Sequence, residues 1–160
     1  MVLQRSPYET LRSIGLIAAL LAAVPASAQQ TEPIWPKLTP KLQGLLQREM
    51  VSILDASHHI LDALVMGDAV TVASEARAIE RSFIMEQSMT EQDRKNLMTV
   101  LPTAFVELDG QFHQTAANLA AAAESKDLSR AHAEFSKMIQ TCRTCHARFA
   151  TDRFPSFTSD

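Results

Sequence analysis

Cysteine is scarce in this chain. Only Cys142 and Cys145 occur among 160 residues, so a zinc site would need further Cys or suitably spaced His ligands that the chain does not offer. Glycine is scarce too, at four residues, and aromatics make up 6%. Both shortages argue against an all-β fold, whose turns use glycine and whose strands favour aromatic side chains. Charge of neither sign is in large excess: the net is −3, which gives no reason to expect nucleic acid or an anionic membrane surface as partner. The longest strongly apolar run, Ile14 to Val24, is too short to span a bilayer comfortably. There is no internal repeat, no low-complexity segment and no constellation of general acid, base and nucleophile, so a hydrolytic enzyme is not expected.

What is present favours helix. The chain is 46% apolar, enough for one domain with a real core, and alanine, leucine and glutamine are plentiful. Residues 1–28 differ from the rest. Arg5 and Arg12 form a positive leader end, Ile14 to Val24 an apolar centre, and Ala26-Ser27-Ala28 a small-residue cleavage site. That pattern predicts a secretory signal peptide cut after Ala28, and hence a periplasmic protein that does not span the membrane once the signal is removed. Residues 29–39, with Pro33 and Pro36 around Trp35, read as an extended N-terminal arm.

Thr39-Pro40 starts the first long helix, with Thr as N-cap and Pro in the first turn. Leu42, Leu46, Met50, Ile53, Ser57, Ile60 and Leu64 form its expected inward stripe, widened by Leu45, Leu54, Leu61 and Val65. Gly67 ends it. Asp68 caps a second helix over about 69–87, with Val72, Ala76, Ile79 and Phe83 inward. Thr90 to Asp93 has the capping-box pattern, so a shorter helix is expected up to Leu101, before Pro102. A third long helix covers about 103–123 with Phe105, Leu108, Phe112, Ala116, Leu119 and Ala123 inside. Asp127 caps the last, about 128–150, with Leu128, Ala131, Phe135, Met138, Ile139, Cys142, Cys145 and Phe149 inside. Four long amphipathic helices with short connections predict an all-α fold: an antiparallel up-down-up-down four-helix bundle over 40–151, with an additional short helix between the second and third long helices, and a tail over 152–160.

The chemistry sits near the end of the last helix, in Cys142-Arg143-Thr144-Cys145-His146. C-x-x-C-H is the pattern that attaches c-type haem. Two thiols form thioethers with the porphyrin vinyl groups, and the adjacent imidazole becomes the proximal iron ligand. On a helix the three residues fall at i, i+3 and i+4, on one face. The rivals fit less well. A thioredoxin-like dithiol would need a βαβ context, and a disulfide within one helical turn has poor geometry. An exported protein suits the haem reading, because c-type haem is attached outside the cytoplasm.

The sequence from Phe105 to Phe149 resembles the cytochrome c′ family of exported four-helix-bundle monohaem cytochromes. Phe105, Phe112, the Ala-rich end of the third long helix, the Asp127-Leu128 turn, Phe135 and CRTCH carry the likeness, and the region from Arg48-Glu49-Met50 to Gly67 is also similar. Two departures stand out. Ala150 occupies a position where the family has Lys or Arg, with Arg148 and Arg153 nearby, and Gln87 to Leu101 looks helical. The resemblance implies haem c held through Cys142 and Cys145, with His146 as proximal ligand. Members divide on the other side of the iron, some leaving it open for gases such as nitric oxide or carbon monoxide, others placing a Met there and carrying electrons.

Helical rise ranks the residues that can face the iron. His146 lies 18 residues beyond Leu128, ~27 Å up the bundle, and Met50 lies 16 residues before Met66, ~24 Å from the same level. His58 and His113 fall short by more than ~10 Å. Met50 is therefore the expected sixth ligand. The histidines His58, His59, His113 and His132 read as helix-surface residues. The expected function is one-electron transfer by a periplasmic monohaem c-type cytochrome, with periplasmic or membrane-bound redox proteins as partners. The alternatives are a five-coordinate gas-binding haem protein and a haem-free dithiol protein. A homodimer is compatible with the sequence, but no exposed apolar stripe in it demands one.

Overall fold

The computed structural model describes residues 31–82 and 84–157; the expected signal peptide and Phe83 lie outside them. The described chain forms six helices and no strand: α1 (Pro40–Met66), α2 (Ala69–Glu80), α3 (Met85–Ser88), α4 (Glu91–Val100), α5 (Thr103–Glu124) and α6 (Leu128–Phe149). The expected ends hold where the local chemistry is strong. Thr39 Oγ1 accepts from the Leu42 amide, and Gly67, at φ +74°, closes α1 in the left-handed region that glycine tolerates. Asp68 caps α2 through the Val70 and Thr71 amides. Thr90 and Asp93 form the reciprocal capping box of α4. Asp127 caps α6 through the Arg130 amide.

α1, α2, α5 and α6 form the bundle. α1 packs on α2, α2 on α5 and α5 on α6, whereas the closing side, between α6 and α1, is only sparsely packed. The main core joins Ile53, Ile60, Val72, Ile79, Phe112, Leu119, Phe135 and Met138, with alanines between them. A smaller cluster of Leu38, Leu42 and Leu45 lies under Ile84, Met85, Met89, Leu97 and Val100. There α3 and α4 cover the N-terminal end of α1. Lys41 pairs with Asp93 across that contact.

Three expectations need correction. First, α2 stops at Glu80, short of residue 87. Ser82 has φ +60°, and the Glu49 carboxylate takes the Ser82 hydroxyl and the Ile84 and Met85 amides. These bonds hold the chain in a turn where the helix would have continued, and the segment before α5 contains two helices, α3 and α4, in place of one. Second, the inward face of α1 is rotated. Leu42, Leu45, Glu49, Ile53, Ala56, Ser57, Ile60 and Ala63 are buried. Met50, Leu54, Leu61 and Val65 are exposed. Apolar residues occupy more than half the circumference of α1, so periodicity alone admits two faces. The acceptor needs of the turn at 82–85 bring Glu49 inside. Third, Ile139, expected inside α6, is 45% exposed.

The N-terminal arm is docked. Its Glu32 and Ile34 amides donate to the Arg148 and Phe149 carbonyls, which satisfies two acceptors left open at the end of α6. Trp35 opens a single 3₁₀ turn, Trp35–Lys37, and Arg153 of the tail lies 4.2 Å over its ring.

Candidate haem site

Cys142, Cys145 and His146 lie in the last two turns of α6, all half-buried. Both cysteines are free thiols. Cys142 packs against the main core. Cys145 is turned toward α5, where the Asp109 carboxylate acts on it. Burial pushes the Cys142 thiol up, and burial, with Asp109 and Cys142 adding to it, pushes Cys145 up to about 12. These are neutral thiols. A dithiol redox centre works through a lowered thiol pKa, so the haem-free alternative is disfavoured. Burial pushes the His146 pKa down, which keeps the imidazole neutral, the form that binds a metal.

His146 stands on the flank of α6 away from Cys145. Phe154 of the tail lies flat on its ring, with centroids 4.6 Å apart and planes 14° apart. Phe157 meets it at 6.0 Å and 62°. Below, Phe149 is buried and meets Phe105 of α5 edge-on at 5.4 Å.

Met50 can be placed relative to this cluster. His59 Nδ1 lies 3.6 Å from Glu75 Oε1 of α2, so that edge of α1 faces α2. Met50 stands nine residues earlier, about two and a half turns, and therefore on the opposite edge. In the ring of four helices that edge turns toward α6. On α5, Asp109 keeps more than half of its side chain exposed; partial loss of surrounding water raises its pKa, the nearby His113 lowers it, and Glu49 and Glu86 raise it further. On α6, Ile139 stands two turns before His146, on the same edge. Met50, 40% exposed, and Ile139 thus border the sparsely packed seam between α1 and α6.

The remaining histidines do not join the cluster. His113 Nδ1 is 2.8 Å from the Ile79 carbonyl oxygen, and its Nε2 is 3.8 Å from Asp109. His58 and His132 are exposed. Of the two arginines beside Ala150, Arg148 lies over the Phe149 ring and Arg153 over Trp35. Among the described residues no group of three His, Cys, Asp or Glu could hold a bare metal ion. Two neutral thiols and one imidazole within the last two turns of one helix fit a covalently attached flat group better than a coordinated ion.

The family model for cytochrome c′ matches residues 50–150 of this chain. The chain belongs to the cytochrome c′ family. The matched span opens at Met50 and closes just past α6, so it contains the four bundle helices save the first turns of α1. Cytochrome c′ proteins carry covalently attached haem c, and the two free thiols suit that cofactor. As a member, the chain is a haem c-type cytochrome with an all-α bundle fold. Neither a curated protein nor a solved structure matches it.

Three features of the site escaped the sequence reading. Glu49 is a charged residue within an apolar stripe, and its interruption of the pattern was the available signal. Asp109, one turn before His113 on α5, gave none. Phe154 and Phe157 stand close together in a short tail beyond the motif, a spacing that marks them only once the tail is seen to fold back.

Proposed function

We propose that this cytochrome is a periplasmic single-electron carrier. Cys142 and Cys145 hold one haem c through thioethers, His146 is the proximal axial ligand of its iron, and Met50 is the sixth ligand. One observation carries this reading: Cys142, Cys145 and His146 stand together, half-buried, in the last two turns of α6, and Met50 lies on the edge of α1 opposite His59. When bound, the haem supplies a one-electron couple at its iron. The chain's residues orient and shield it. The two cysteines would fix it along α6, His146 would present a neutral ring nitrogen, and the partly exposed Met50 and Ile139 offer apolar surface on the facing edges of α1 and α6. A thioether ligand favours the ferrous state and raises the potential.

The leader pattern of residues 1–28 supports a periplasmic location, and no helix among the described residues is long and apolar enough to cross a membrane. Partners are then periplasmic or membrane-bound redox proteins. Nothing in the mild net charge favours nucleic acid, and no hydrolytic constellation favours an enzyme. Val51, Leu54, Leu61 and Val65 are exposed on α1 and, with His58, repeat at spacings of three and four. That apolar stripe supports a homodimer built on α1.

A second reading, a five-coordinate protein that binds nitric oxide or carbon monoxide, is favoured by one observation. Met50 is 40% exposed and stands outside the packed core. The optical spectrum of protein produced with haem-attachment machinery separates the two. Electron transfer predicts low-spin ferric bands with a weak near-infrared band from Met-to-iron ligation, converted to high spin in Met50→Ala. High-spin bands and rapid carbon monoxide binding in the unaltered protein would reject Met50 as ligand and select the gas-binding reading.

A further inference from the structure

We propose that the C-terminal tail clamps the proximal histidine, with Phe154 as the positioning residue that sets the plane of the His146 ring and closes its outer face. The inference rests on His146 being the iron ligand. The two rings lie parallel within 14° at 4.6 Å, the separation of a stacked pair. Phe157 buttresses both, 6.0 Å from His146 and 6.2 Å from Phe154. Stacking covers the face of an imidazole and leaves its edge free. The ring nitrogens lie on that edge, so the contact is compatible with ligation.

The need for such a clamp follows from what else holds the ring. A ligating histidine usually donates its second N–H to a carbonyl or carboxylate, which fixes its orientation. Among the described residues neither nitrogen of His146 has a hydrogen-bond partner. Its orientation is left to aromatic contacts, and those come from the tail. The tail is itself tethered. The Arg153 and Phe154 amides both donate to the Ala150 carbonyl at 2.9 Å, and the Phe157 amide donates to the Phe154 carbonyl at 3.1 Å. Arg153 lies over Trp35, and the Trp35 arm is bonded to the end of α6. Phe154 remains 44% exposed, so core burial does not explain its position.

The proximal ring plane is readable without any assay of activity. In the ferric haem-loaded full chain, the spread of the haem methyl proton shifts and the anisotropy of the paramagnetic resonance spectrum follow the orientation of the axial imidazole. Phe154→Leu keeps apolar bulk but removes the flat face; Phe154→Trp keeps a flat face. The clamp predicts a changed methyl-shift pattern in Phe154→Leu, a pattern near that of the parent in Phe154→Trp, and several-fold faster displacement of His146 by nitric oxide in Phe154→Leu. Identical shift patterns and displacement rates in the parent and both variants would overturn it, with His146 still the ligand. A parent protein without haem, or one whose spectrum is unchanged by His146→Ala, would instead overturn the reading on which the clamp rests.

Discussion

At the scale of single residues, Glu49 decides which way α1 faces. Its carboxylate accepts from the Ser82 hydroxyl and from the Ile84 and Met85 amides, three donors that an alanine would leave without their acceptor. Losing a buried charged acceptor of this kind costs roughly 2–3 kcal/mol. Glu49→Ala is therefore expected to lower the thermal unfolding midpoint by several degrees, measured by circular dichroism, whereas exposed Asp55→Ala on the same helix is expected to change it little. The residue scale is also where the sequence was most and least informative. Cys142, Cys145 and His146 stood out at once as a motif, because three chemically distinctive residues at fixed spacing leave few alternatives, and the structure gathers them near the end of α6. Glu49 was not, because its partners lie more than thirty positions away in a turn that local propensity reads as helix.

At the scale of elements, caps and breakers located most boundaries. Thr39-Pro40, Gly67, Asp68, Thr90 with Asp93, Pro102 and Asp127 each act within a few residues, so α1, α4, α5 and α6 could be placed from the chain alone. The end of α2 and the single turn of α3 depend on the distant Glu49 and could not. The exposed edge of α1 was misassigned for a related reason: Met50, Leu54, Leu61 and Val65 are apolar, and only the packing partners reveal which apolar edge is covered. α4 offers a pH test. Hydrogen bonds from Lys41 and Thr90 hold the Asp93 carboxyl down, from its ordinary 3.8 to about 2. A carboxylate lowered in the folded state contributes stability that is present above its ordinary value and is lost as pH falls through its folded value. The seating of α4 on α1 is thus expected to weaken as pH drops from about 4 toward 2, seen as faster amide exchange in residues 91–100. In Asp93→Asn that acid-dependent step should be absent, with exchange already raised at neutral pH; an unchanged acid step would place its origin elsewhere.

At the scale of the whole molecule, four helices close a ring whose last side, between α6 and α1, is left loosely packed, and the C-x-x-C-H segment lies in the last two turns of α6. The arm and the tail, outside the family match, converge on the same end of α6: the arm bonds its final carbonyls and the tail stacks on His146. The opposite consideration applies to α1, whose outward apolar residues repeat at spacings suited to a second helix. The double variant Leu54→Lys, Leu61→Lys is expected to shift a dimer to monomer in light scattering while the haem spectrum stays unchanged. Equal mass before and after would remove α1 as the interface. The claim beneath all of these is covalent haem on Cys142 and Cys145. Its most direct test is the mass, under denaturing conditions, of the exported protein made alongside haem-attachment machinery. The expected mass is that of the chain from Gln29 plus one haem, with the haem lost on extraction from a Cys142→Ser, Cys145→Ser variant. A mass equal to the bare chain would contradict the account.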